Sequence, residues 1–260
     1  MNVIFKNIIL SAVVLSTAVS AVYAQDQKTY DISDFDSIEL NTSSNVDVTI
    51  GDEFSVVLKG DIDRIKKMEL ERSGDTLEIS SNSSGGFFGF FSGSGDNGNL
   101  IIEITMPDIE SMQINGSGNA EIKGVDNEEI ELQVHGSGDI YVWGKSEEVS
   151  IEIHGSGDIE MDEVTGNNVD IEIHGSGNVE FEGGTCSRLE IEIAGSGDVD
   201  AKDLICNEVN VEVEGSGNSS IYARELLIFD GEGSGSVDVY SEPKEVIDKS
   251  RRNSKIRIHD

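Results

Sequence analysis

Between residues 110 and 240 apolar and polar side chains alternate with period two, and the alternation itself recurs about every 20 residues. Ile151-Glu152-Ile153, Ile171-Glu172-Ile173, Ile191-Glu192-Ile193 and Val211-Glu212-Val213 are four such segments, with apolar residues on one side and an acid on the other. Strict alternation over a short segment marks a half-buried strand. Each segment runs into Gly-Ser-Gly, which starts at Gly116, Gly136, Gly155, Gly175, Gly195, Gly215 and Gly233, with spacings of 20, 19, 20, 20, 20 and 18. A second short strand follows each corner, as in Ile140 with Val142, Ile159 with Met161 and Val179 with Phe181. Only Ser219 breaks this second inward set.

No helical pattern of ten or more residues separates the strands, which excludes a parallel sheet built from βαβ units. A fixed period near 20 with in-register apolar positions predicts an all-β fold, a parallel β-helix in which each coil stacks on the last. One coil cannot bury its own apolar side, whereas seven stacked coils make a rod of about 34 Å. The two ends of such a rod need covering, because bare strand edges pair copies end to end into oligomers. Gly-Ser-Gly reads first as geometry: a corner repeated once per coil wants positive φ and no Cβ to collide with the corner stacked on it. The residue that follows is Asn119, Asp139, Asp158, Asn178, Asp198 or Asn218. Such side chains tolerate left-handed backbone and bond to nearby amides. A phosphate cradle would need a helix after the glycines and a lysine close by, and neither is present.

The flanks depart from the period. Residues 28–82 alternate more loosely, through Ile38-Glu39-Leu40, Val46-Asp47-Val48 and Leu77-Glu78-Ile79, and read as irregular opening coils with a short helix near Asp61 to Met68. Residues 83–99 are a Gly/Ser/Phe insertion, after which Leu100 to Pro107 resumes as strand. The tail from Lys244 gathers Lys249, Arg251, Arg252, Lys255 and Arg257 and reads as a charged cap. The expected organisation is a leader over 1–24, opening coils over 25–108, the Gly-Ser-Gly β-helix over 109–241 and the cap over 242–260.

The leader assignment rests on Lys6, the apolar run Ile8 to Leu15 and the small residues around Ala24 ahead of polar Gln25, the pattern of a secretory signal peptide. The run is too short for a comfortable membrane span, so no stable insertion is expected after cleavage. The expected location is periplasm, outer surface or medium. Asp and Glu number 51 against 18 Lys and Arg, a formal charge of −33. That field argues against nucleic acid, which needs clustered basic residues to displace counterions from phosphate, and equally against acidic membrane surfaces.

Outward positions one period apart become ladders, and these are the candidate sites. Glu152, Glu172, Glu192 and Glu212 form a column whose mutual repulsion is relieved either by solvent and salt or by weakly held Ca²⁺. No other cofactor is expected. His135, His154 and His174 precede three consecutive corners, and stacked imidazoles can share a transition metal, although Ala194 and Glu214 replace them further on. Cys186 and Cys206 are one coil apart, so a disulfide is open to them in an exported chain, while parallel in-register pairs often present poor Cβ geometry. Phe87, Phe88, Phe90 and Phe91 make either an exposed adhesive patch or a plug for one end of the rod. Tyr141 and Trp143 are the main outward aromatics for a sugar.

The order of features also carries a resemblance. Ile38-Glu39-Leu40, Val46-Asp47-Val48-Thr49-Ile50, Leu77-Glu78-Ile79 and Ile102-Glu103-Ile104-Thr105-Met106-Pro107-Asp108-Ile109-Glu110 precede Gly116-Ser117-Gly118-Asn119 and its successive copies. Over residues 31–241 this resembles the autotransporter-adhesin head GIN domain family. The resemblance implies a right-handed β-helix on a secreted or surface protein, chiefly of Bacteroidota, with an adhesin role and no catalytic residues to carry over. No β-barrel or passenger-translocation segment is read here, so autotransport itself is not carried over. The leading expectation is a non-enzymatic binding protein that contacts a polysaccharide or a cell-surface protein. The competing classes are a β-helix lyase or glycosidase, which fold analogy alone supports, and a purely structural envelope element. Residues 110–240 hold few, scattered cations and far too many carboxylates to nominate a catalytic pair.

Overall fold

A computed structural model describes residues 26–82 and 100–259. They form a β-solenoid of about seven turns of roughly 20 residues. The hydrophobic rows predicted from the period stack in register. Ala120, Ile140, Ile159, Val179, Val199, Ser219, Val237 and Ile256 follow one another as parallel strand partners along one side. Leu132, Ile151, Ile171, Ile191, Val211 and Phe229 do the same along another. All of these but Ile256 are buried. Each buried Val, Leu or Ile contributes about 1.5–3 kcal/mol of transfer free energy, and stacking like on like lets the branched side chains fill the interior.

The corners meet the steric prediction. Gly155 has φ 143°, and a Cβ placed on it would lie 2.0 Å from the Gly136 carbonyl oxygen one coil before. The second glycine of the corner needs only the space: at Gly157 a Cβ would lie 2.0 Å from the Gly138 oxygen. The Asn and Asp residues that follow do not adopt left-handed backbone, since Asp34 is the one non-glycine with positive φ among the described residues. Their side chains bond instead to the next coil. Asn119 Oδ1 accepts the Asp139 amide at 3.1 Å, Asp139 Oδ1 that of Asp158 at 3.0 Å, and Asp158 Oδ1 that of Asn178 at 2.9 Å. Asn178 and Asp198 continue the line to Asn218. Amides that the corner leaves without a ladder partner are thereby satisfied.

Cys186 and Cys206 are joined by a disulfide, with Cα atoms 4.5 Å apart. That separation lies within the range a bridge can span. Both cysteines face the interior.

The opening coils do not stack in chain order. Ser37–Asn41 and Asn45–Ile50 are the first parallel strands of the chain but lie second in space. Thr76–Ser81 and Ile101–Met106 stack outside them, and Ser111–Gly116 and Ala120–Gly136 stack on their other side. The outermost layer is antiparallel. Ser55–Gly60 runs against Ile101–Met106, Asp26–Tyr30 against Ser55–Gly60, and Met68–Ser73 against Thr76–Ser81. The predicted helix is a single turn, Ile62–Ile65, because Asp61 caps it through Oδ1 and Met68 already begins a strand. Folding the chain back in this way leaves short, polar edge strands at the end of the rod.

The tail is more than one capping strand. Glu245–Asp248, Arg251–Arg252 and Lys255–Ile258 pair in parallel with the last repeat and complete a further coil without glycine corners. Among the described residues no helix is long and apolar enough to cross a membrane.

Candidate functional site

Two outward surfaces carry the side chains with chemical character, one on each side of the Gly-Ser-Gly corner. On the strand after the corner, Tyr141 and Trp143 point the same way because they are two residues apart. Their rings lie 6.1 Å apart with planes inclined by 23°, and Trp143 is 37% exposed. The coil before places Glu121 beside Tyr141 and Lys123 beside Trp143. Lys123 Nζ sits 5.1 Å from the Trp143 ring centre and bonds Glu121 at 2.8 Å. Burial, followed by the charges of Asp139 and Glu160, pushes the Tyr141 hydroxyl above its ordinary pKa, so it stays a neutral donor. The sequence pointed to the aromatic pair and missed Lys123, which only the register brings over the indole.

On the strand before the corner, His135, His154 and His174 stack as neighbours. Ring centres are 5.2 Å apart for the first pair and 4.8 Å for the second. Each of the last two bonds the glutamate two residues earlier on its own strand, His154 Nε2 to Glu152 Oε1 at 2.6 Å and His174 Nε2 to Glu172 Oε1 at 2.5 Å. His135 differs, because Gln133 stands where the other strands have glutamate. Its Nδ1 lies 3.0 Å from Asn115 Oδ1, while Nε2 lies 4.0 Å from Glu152 Oε1. The ligand atoms of His135, Glu152 and His154 all fall within 4.8 Å of one another.

The acidic column continues past the histidines, with Glu172, Glu192, Glu212 and Asp230 in successive register. Partial burial and then the charges of Glu192 and Asp230 raise the Glu212 carboxyl above its usual value. The parallel column after the corner behaves alike at Glu160, lifted by burial and by Glu180. Glu192 and Glu212 are not among the residues whose ligand atoms converge there. Phe87, Phe88, Phe90 and Phe91 lie outside the described residues.

The family described as "Putative auto-transporter adhesin, head GIN domain" matches residues 34–243. The chain belongs to the head GIN domain family. Solved structures share this head GIN fold. A protein of Parabacteroides distasonis ATCC 8503 described as a putative lipid binding protein superposes with TM-score 0.80 at 23% identity, over 92% of this chain and 98% of its own. A putative adhesin of Parabacteroides merdae ATCC 43184 gives 0.77 at 14% identity, over 92% and 98%. A putative adhesin of P. distasonis gives 0.76 at 14%, over 90% and 97%. At these identities the likeness is one of fold, and none of the curated proteins matches the chain. The family description points to an adhesin-like role, exported or at the cell surface.

Proposed function

We propose that this head GIN domain is a non-enzymatic, exported binding protein that holds a glycan of the cell surface against the Tyr141–Trp143 platform. The observation that supports this reading is the half-open, near-parallel aromatic pair on a rigid strand, with Lys123 and Glu121 at its edge. The apolar faces of a sugar ring stack on such rings, and the neighbouring charged groups bond its hydroxyls. A site on a strand loses little conformational freedom on binding, which favours affinity. The family and its fold neighbours are named as adhesins. The test is a polysaccharide and glycan array probed with the protein and with Trp143→Ala. Selective binding by the parent that disappears in the variant supports the proposal, and equal signals from both overturn it.

A further inference from the structure

We propose that His135, Glu152 and His154 bind a transition-metal dication of the zinc class on the outer surface of the solenoid. The site is independent of the aromatic platform, from which the Gly-Ser-Gly corner separates it. His135 and His154 are strand partners on adjacent coils, and Glu152 shares their outward side two residues before His154. Glu152 Oε1 lies 2.6 Å from His154 Nε2 and 4.0 Å from His135 Nε2. A tetrahedral ion with ligands at 2.0–2.2 Å wants its donor atoms about 3.3 Å apart. The three donors already fall within 4.8 Å. All three side chains are only partly buried, so small rotations close the gap, and the remaining coordination positions face solvent.

The hydrogen bonds behind His135 prepare it as a ligand. Asn115 spends its amide hydrogens on Glu39 Oε1 at 2.8 Å and Asn41 Oδ1 at 2.9 Å, which fixes its own Oδ1 as the acceptor facing His135. Gln113 donates to that same oxygen at 3.0 Å. His135 Nδ1 faces that oxygen at 3.0 Å and the Gln113 amide nitrogen at 3.4 Å, and the nearer contact favours a proton on Nδ1 with the Nε2 lone pair on the side of Glu152. An imidazole oriented through its second nitrogen by a neighbouring acceptor is the usual arrangement around a bound metal. Glu152 is steadied in turn at its other oxygen, 3.4 Å from the Gln133 amide nitrogen. Glu152 Oε1 already shares a proton with His154 Nε2, and an ion bound here would displace that proton to solvent and draw the carboxylate and both imidazoles onto itself. Imidazole donors select zinc, nickel or copper over calcium and magnesium, which prefer all-oxygen sites.

The experiment uses the protein expressed with its own leader, purified and stripped with a chelator, then titrated calorimetrically with zinc chloride at neutral pH. Saturable binding of one zinc per chain is expected, with affinity falling about tenfold or more in His135→Ala and in His154→Ala. His259→Ala, at the far end of the rod, should bind as the parent does. Thermal melts without metal confirm that the variants fold, and zinc should raise the midpoint of the parent but not of the His135→Ala/His154→Ala double variant. Absence of saturable zinc binding, undiminished binding by the double variant, or calcium binding as tight as zinc would each overturn the proposal.

Discussion

Arg257 grips Asp238 from the next coil through two hydrogen bonds, Nε to Oδ1 at 2.7 Å and Nη2 to Oδ2 at 2.6 Å. His259 adds a third contact to the same carboxyl at 2.7 Å. The pair lies beyond Ser220 on the line that runs through Glu160, Glu180 and Asp200, so the basic tail adds positive charge at the end of a largely acidic surface. Arg251 plays the same part on Glu232, and Lys244 on Glu225. Arg257→Ala should cost about 1 kcal/mol at neutral pH, since a paired fork geometry outlasts the screening that weakens most surface pairs. A chemical denaturation midpoint unchanged by the substitution would count against this role.

The corner glycines make a sharper prediction. Gly155→Ala places a methyl group 2.0 Å from the Gly136 oxygen and forces alanine to φ 143°. The neighbouring coil is held on both sides and cannot retreat, so the loss should be about 3 kcal/mol or more. Ser156, exposed between the two glycines, should accept alanine with almost no change. Comparable losses in the two variants would mean that the corner is softer than its geometry implies.

The repeat made the middle of the molecule legible because stacking forces like positions together. Once the period was known, the partners of Ile151, Glu172 or Cys186 followed by counting. The opening coils defeated that logic because period-two alternation says which side of a strand is buried and nothing about which strand lies next to it. Ile38-Glu39-Leu40 looks the same whether it stacks on Leu77-Glu78-Ile79, on Met112-Gln113-Ile114 or, as it does, between them. The tail hid its coil for another reason, since it has no Gly-Ser-Gly to mark the corner. At the candidate sites the histidine column was visible, but the oxygen that faces His135 Nδ1 is set by Asn115, Asn41 and Glu39, whose convergence depends on the displaced opening coil.

Ser219 stands in the inward row between Val199 and Val237, buried with its hydroxyl unpaired. The row breaks its own rule there. Ser219→Val should stabilise the protein by about 1–2 kcal/mol, by removing a polar group that lost its water on folding and by adding apolar contacts with the valines on either side. The check is an equilibrium denaturation curve. A lower midpoint for the valine variant would show that the space around Ser219 is too tight for the one added methyl position, or that the hydroxyl is needed.

The charge columns give the rod an unusual dependence on pH, and two opposing groups set its shape. Glu212 and Glu160 have carboxyls raised above the ordinary 4.5, chiefly by burial and then by neighbouring acids. A raised carboxyl takes up its proton more readily in the folded chain. Stability therefore increases as pH falls through the folded value and is fully gained below 4.5. Asp238 works the other way, with its carboxyl held down from 3.8 to about 2, first by the Arg257 hydrogen bonds. Its contribution is complete above 3.8 and disappears as pH falls toward 2. The melting temperature should rise from pH 7 to a maximum at about pH 4 to 5 and then drop steeply. Salt screens the columns, so 0.5 M sodium chloride should raise the melting temperature at pH 7 and have much less effect at the maximum. A melting temperature that falls steadily from pH 7 downward, or that ignores salt, would mean that solvent already dissipates the repulsion along Glu172, Glu192 and Glu212.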